Sequence, residues 1–308
     1  MTLRAAALGL LALCAALGAS AESQVSAVQA SPEAAQAPKS LSLRAPVTTV
    51  PETVAVGGLR YRGKLIQGGW LQGTVPSGTR KVTLGGEQLA LADDGAFFAA
   101  FDRDAPATLR LATTNISGLE LAVPLVIAPR AWQIERVNVA KRPGGVSAPD
   151  FVVRRAAELA RIRAARARAT DAAGWRQAMA WPAAGRVSGH FGAQRIYRGE
   201  PGSYHSGTDI AAPAGAAIFA PASGVVVLAA ADAFTLEGHL LIIDHGMGLA
   251  SAFLHCADLV VRDGDAVRQG ALLGHVGMTG RATGPHLHWA LTWRGRRLDP
   301  QLFVPARG

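Results

Sequence analysis

Two short segments of this chain carry side chains suited to metal-assisted hydrolysis. They are Tyr204-His205-Ser206-Gly207-Thr208-Asp209-Ile210 and Gly284-Pro285-His286-Leu287-His288-Trp289. Between them they offer two imidazoles and a carboxylate as candidate ligands for one divalent ion, with a further imidazole beside them. Neutral imidazole and carboxylate are the groups that zinc takes in catalytic sites, where three protein ligands leave a fourth position open. Ser206 and Gly207 are poor helix-interior residues, so a strand end or tight loop is expected at His205 to Asp209 rather than one face of a helix. His286 and His288 alternate, which on a strand puts both on one face. One can bind metal while the other faces the open coordination position. No His-Glu-x-x-His helix occurs, so the proton work falls to histidine, whose ordinary pKa near 6.5 suits neutral pH.

Further motifs follow in order: Gly185-Arg186-Val187-Ser188-Gly189-His190-Phe191-Gly192, then His205 to Gly215, Ile243-Asp244-His245-Gly246, Phe253-Leu254-His255 and Gly277 to His288. In this order and spacing the region from about Trp181 to Pro305 resembles the M23 family of zinc metallopeptidases, the lysostaphin and LytM type. The Gly-Pro-His-Leu-His segment is the most specific part of the likeness. The resemblance implies one zinc ion (Zn2+) per chain, held by His205, Asp209 and His288. It implies His255 and His286 as the catalytic histidines, assisting a zinc-activated water as nucleophile. It also implies peptidoglycan as the partner and substrate, cut at a peptide bond of its stem peptides or cross-bridges. Two other functions stay open at this point: a non-catalytic M23-like activator of another cell-wall hydrolase, and a zinc peptidase acting on secreted proteins.

The other histidines, His190, His239, His245 and His275, read as structural or surface residues, with His190 placed to line the cleft without binding metal. Cys256 adjoins His255, but neighbours on a strand face opposite ways, so a buried inert thiol is expected. The Gly-rich stretch Gly274 to Gly284 lacks the Lys-Ser/Thr ending of a phosphate loop and reads as a sharp turn into the His286–His288 strand.

The elements that position these residues divide the chain into five parts. Residues 1–21 read as a secretory signal: Arg4, an apolar run from Ala5 to Leu17, and Ala19-Ser20-Ala21 as a small-residue cleavage site. That run is shorter than the ~20 residues a membrane span needs, so no integral span is expected in the mature chain. Periplasm or cell envelope is the expected location, with secretion the alternative. Cleavage would leave Cys256 as the single cysteine. Residues 22–51, rich in Ala, Ser, Pro, Gln and Thr, read as a flexible linker. Short alternating runs between turn signals over residues 52–139 predict a small antiparallel β-sandwich.

A helical connector is expected over residues 140–180, starting near Pro149 and continuing to about Gly174. Val152, Ala156, Leu159 and Ile162 form its apolar stripe. At 1.5 Å per residue it would reach about 35 Å, enough to hold two β domains apart or to pack across both. Short apolar runs return over residues 181–308, at Ala217 to Phe219, Gly224 to Leu228, Leu240 to Ile243, Leu249 to Leu254, Leu272 to Val276 and Leu287 to Leu291. The fold class is thus mainly β: a small antiparallel sandwich, a long helical connector and an antiparallel β metallopeptidase domain. The last span is expected to fold and bind metal alone, because every candidate ligand lies in it.

With 308 residues and 49% hydrophobic content the chain can bury more than one core. Its formal net charge of +9 favours acidic partners, of which nucleic acid is one and a wall bearing free carboxylates another. Arg154, Arg155, Arg161, Arg163, Arg166 and Arg168 have little aromatic interleaving and read as a solvated helix face. With no nucleic-acid-binding signature present, a nucleic-acid partner is not expected. The oligomeric state is not legible in the sequence.

Overall fold

The computed structural model describes residues 53–140 and 149–307, which belong to one compact unit. The expected signal segment and linker lie outside the described residues. Among these, no helix is long and apolar enough to cross a membrane.

The first half forms two four-stranded antiparallel sheets. One runs in the order Val54–Val56, Leu59–Lys64, Trp70–Thr74, Ala96–Ala100, and the other Glu87–Gln88, Thr79–Leu84, Thr108–Asn115, Glu120–Val126. Alternation produces their inner faces: Leu59 and Tyr61 are buried while Arg60 and Arg62 are exposed. Leu59, Leu71, Phe97, Val82, Leu111 and Leu125 are fully buried in one core.

The second half is built on a ten-stranded sheet. Its central path is Arg186–Gly189, Thr208–Ala211, Leu287–Trp293, Leu249–Leu259, His239–Asp244, Gly224–Ala229 and Ala266–Val267, every pair antiparallel. Leu272–Val276 pairs with the far end of Leu249–Leu259, and Ala217–Phe219 pairs with it in turn. Strands stand at all six predicted apolar runs. Leu287–Trp293, central to the sheet, is buried along its whole length.

The two halves share their apolar interior. Phe98 of the first half meets Trp293 edge-on, with centroids 6.4 Å apart. Trp70 stacks against Phe303 and donates its indole N–H to the Leu302 carbonyl at 3.0 Å. Arg130 pairs with the buried Asp299 carboxylate at 2.7 Å. Ile134–Val137 also adds a parallel strand to Gln194–Tyr197, a pairing that the all-antiparallel expectation misses. This continuous core revises the expectation that residues 181–308 fold alone, since that fragment would expose Trp293 and Phe303 to water.

The connector differs from its sequence reading as well. Its helix is shorter, Pro149–Ala167, and packs on Gly224–Ala229 and His239–Asp244. Of the expected stripe only Ile162 is buried; Val152 and Leu159 are exposed, and Glu158 and Ala165 are buried with Ile162 instead. Glu158 turns inward because its carboxylate accepts hydrogen bonds from the Thr235 amide at 2.7 Å, the Thr235 hydroxyl at 2.6 Å and Arg155 at 3.1 Å. These contacts tie the helix to the 231–239 loop.

Because the core is shared, the described residues are expected to unfold together. Trp293→Ala should destabilise the unit by about 3–5 kcal/mol, the range for removing a buried aromatic ring. Calorimetry should show one transition moving down in temperature; two separate transitions, only one of them shifted, would contradict the shared core.

Candidate metal centre

Register creates the site. Antiparallel pairing sets Asp209 directly opposite His288, and on its other side His288 lies opposite Leu254. Directly paired residues point to the same face, with Cβ atoms about 4.5–5.5 Å apart. The Asp209 Oδ1 to His288 Nδ1 distance is 2.8 Å. His205 reaches the same point from the loop before the strand, its Nε2 lying 3.0 Å from Asp209 Oδ1 and 3.1 Å from His288 Nδ1. His205, Asp209 and His288 thus bring one ligand atom each into a common cluster.

The backbone decides which nitrogen of each ring is available. His205 Nδ1 lies 3.0 Å from the His190 carbonyl. A carbonyl only accepts, so Nδ1 carries the proton and Nε2 keeps its lone pair for the cluster. His255 Nδ1 donates to the Thr279 carbonyl at 2.8 Å, and His286 Nδ1 donates to the Gly284 carbonyl at 2.8 Å. Both rings therefore keep an unprotonated Nε2. His286 Nε2 stands 3.9 Å from Asp209 Oδ1, and the His255 and His286 ring centroids are 5.0 Å apart. His286 and His288 do share a face.

His255 has an unusual backbone. It adopts φ +65°, the left-handed region that non-glycine residues rarely enter. Its strand changes partners there: Leu254 still pairs with His288, whereas Cys256 pairs with Val276. The His255 amide donates to the Glu237 carbonyl at 2.8 Å. Thr279 is tied to both neighbouring strands, its hydroxyl donating to the Cys256 carbonyl and accepting from the His239 amide.

Two glycines leave room for the ligands. A Cβ on Gly207 would lie 2.8 Å from His288 Nε2 and 2.5 Å from the Trp289 carbonyl oxygen. On Gly189 it would lie 2.3 Å from Asp209 Oδ2. The first half of the chain buttresses the segment between them. Buried Arg103 donates to the Gly192 carbonyl at 3.1 Å and to Gln194 at 3.2 Å, and its guanidinium lies over the Trp132 and Tyr204 rings. The Gly192 amide in turn donates to the His205 carbonyl at 2.9 Å.

The electrostatics suit a cation. Burial works against the Asp209 carboxylate, yet the His205 and His288 rings beside it hold its pKa far below the usual range. Burial lowers the pKa of His288, offset in part by Asp209, and burial likewise lowers that of His255. For His205 burial is the largest effect and acts downward, but the hydrogen bond and charge of Asp209 together with the His190 carbonyl outweigh it, and the net shift is upward. Asp209 and His288 thus favour the ionised carboxylate and neutral imidazole that bind metal, while His205, drawn toward protonation by Asp209, would release a proton on binding.

The remaining candidates lie elsewhere. His245 is buried between the Ser223 carbonyl and the Ser251 hydroxyl, His239 lies 3.2 Å from the Ala230 carbonyl, and His275 pairs with Asp258. His190 serves through its carbonyl, while its ring contacts Gln301. Cys256 is buried and its thiol is pushed up to about 12, chiefly by burial. The carbonyls of His190, Thr279 and Gly284 escaped sequence reading because every residue carries one; only the fold says which are aimed at a ring.

Comparison with known proteins finds similarity over the stretch that holds the cluster. Residues 203–300 match the family model for Peptidase family M23. Peptidoglycan DD-endopeptidase ShyA of Vibrio cholerae is 36% identical over 118 residues, 37% of this chain and 26% of ShyA. Murein hydrolase activator NlpD of Escherichia coli K12 is 35% identical over 127 residues, 41% of this chain and 31% of NlpD. The chain thus spans between a quarter and a third of the length of these curated relatives. A crystal structure from Pseudomonas aeruginosa assigned to peptidase M23 superposes with a TM-score of 0.61 at 26% identity, covering 79% of this chain and 96% of that one. All five clustered side chains lie inside the stretch that matches the model for Peptidase family M23, and that stretch is what this chain shares with the family.

Proposed function

We propose that the protein is an exported zinc metalloendopeptidase that hydrolyses peptide bonds in peptidoglycan, acting in the periplasm or cell envelope. The observation that carries this reading is the convergence of His205, Asp209 and His288 with two further histidines whose free Nε2 atoms face them. The donor set fits zinc: two imidazole nitrogens and one carboxylate oxygen, with His205 oriented by a carbonyl as ligating histidines commonly are. A bound zinc ion supplies Lewis acidity toward the scissile carbonyl and makes water nucleophilic near neutral pH.

The protein's own groups supply the rest. Nε2 of His255 or His286 accepts the proton of the attacking water, and the imidazolium so formed can return it to the leaving amine. Burial favours neutral His255, which keeps it ready to accept. Backbone acceptors on Nδ1 hold both rings in one tautomer and one orientation. The left-handed turn at His255 sets its ring beside His286 rather than along the strand face.

A second reading has support from the relatives named as murein hydrolase activators: the domain would stimulate another hydrolase without cutting. The presence of all three ligand groups and both accessory histidines favours catalysis. Mass spectrometry of muropeptides released from purified peptidoglycan separates the two. Release of cleaved stem peptides by the protein alone is expected; stimulation of an added hydrolase with no release alone would favour the activator.

Three sets of variants test the residue roles. His205→Ala, Asp209→Ala and His288→Ala should each lose tightly bound zinc by elemental analysis, and full occupancy in any of them would remove that residue from the ligand set. His255→Ala and His286→Ala should keep zinc and lose roughly 10²–10⁴-fold in turnover, the usual contribution of positioned proton transfer. Near wild-type turnover with zinc bound would end the catalytic role of the residue concerned. Gly207→Ala should weaken zinc affinity by roughly 10–100-fold, as for other changes that misorient a ligand. Unchanged affinity would mean that the His288 ring does not depend on the space Gly207 leaves.

A further inference from the structure

Beside the candidate cluster, between the helix Pro149–Ala167 and the face of the large sheet that it covers, lies a cavity of about 210 Å³. His288 and Ser206 form one end of it, so a group bound there sits within one residue of the metal ligands. Three arginines line it against a single glutamate: Arg155 and Arg166 from the helix, Arg297 from the strand Arg296–Leu298, and Glu237 from the loop.

These arginines are not equivalent. Arg155 is neutralised, with its two terminal nitrogens 2.6 and 2.7 Å from the Glu237 carboxylate and one of them 3.1 Å from Glu158. Among the described residues Arg166 and Arg297 have no acidic partner within salt-bridge distance. Arg297 lies with its guanidinium 5.3 Å from the centroid of the Tyr204 ring, next to His205. At Arg166 burial of the guanidinium and then the charge of Arg297 lower the pKa, against the charge of Glu237, which acts upward but less. Glu237, the acidic group of the lining, is engaged by Arg155, so the cavity keeps more positive than negative groups and favours an entering anion. A guanidinium pair matches a carboxylate in shape and charge and can bind it with paired N–H···O bonds. The cavity volume suits one side chain or chain terminus rather than an extended polymer.

We infer that Arg166 and Arg297 form an anion subsite that takes a free carboxylate on the peptide substrate, on a residue flanking the scissile bond. This rests on the peptidase reading for its ligand and adds a specificity that the ligand cluster does not supply. The helix residue that carries it, Arg166, lies outside the stretch that matches the family model. The subsite would thus be a contribution of the connector to substrate choice.

Binding of an uncleavable peptide pair to the full-length, zinc-loaded protein tests it. The two peptides differ only in a carboxylate or a carboxamide on the residue flanking the blocked bond. The carboxylate form is expected to bind roughly 10- to 100-fold more tightly, the worth of a charge-assisted hydrogen-bonded pair. Arg166→Gln and Arg297→Gln should each reduce that preference severalfold or more, while Arg163→Gln, exposed on the same helix, should retain it. Equal binding of acid and amide by the wild-type protein, or a preference untouched in both variants, overturns the subsite. Cleavage of the corresponding natural peptides is scored separately. A protein that keeps the preference and cleaves neither retains the subsite and loses the peptidase reading.

Discussion

The pairing of Thr208–Ala211 with Leu287–Trp293 is the constraint on which the site depends. Asp209 and His288 meet in the candidate cluster because the ladder places them opposite each other on one face. A slip of one residue would turn His288 and His286 into the core and bring Leu287 and Trp289 to the surface. The hydrophobic pattern forbids that slip: Leu287, Trp289, Leu291 and Trp293 are all at or near zero exposure beneath the site. Burying each such side chain contributes about 1.5–3 kcal/mol, so the apolar face holds the register and the polar face inherits its geometry. The core thereby specifies the geometry of the candidate metal centre.

The first half of the chain acts on the same centre from behind. Its Arg103 and Trp132 hold the segment from His190 to Gln194, and the His190 carbonyl sets the His205 ring. A hydrogen bond to a charged donor is worth about 1.5–3 kcal/mol, enough to bias which way that segment lies. The accessory region is thus a structural participant in orienting a ligand, although it contributes no ligand atom. The helix has a parallel role on the opposite side, where Arg155 and Glu158 brace the loop whose Glu237 carbonyl receives the His255 amide.

Much of this was legible in the sequence, for identifiable physical reasons. The six apolar runs of the second half became strands because each is short, β-branched or aromatic, and bounded by turn residues. Alternation placed His286 on the side of His288, and its ring does reach the same cluster, although His286 lies one residue before the strand Leu287–Trp293. The helix stripe was misread because periodicity counts apolar residues and does not see that Glu158 is drawn inward by Thr235. The shared core was missed because every candidate ligand lies within residues 181–308, which suggests an independent unit, while Phe98 and Trp293 lie too far apart in sequence to signal their contact. The left-handed turn at His255 was invisible for a similar reason. It arises where one strand changes partners, a property of the sheet and not of the residue.

X-ray absorption at the zinc edge of the metal-loaded protein tests the central claim most directly. The account expects a first shell of light atoms at about 2.0–2.2 Å, with the outer-shell scattering of two imidazoles and none from sulfur. Loss of one imidazole contribution in a His288→Ala sample, under forced zinc loading, would complete the assignment. A shell containing sulfur near about 2.3 Å, or one with no imidazole scattering, would contradict the site that the strand register builds.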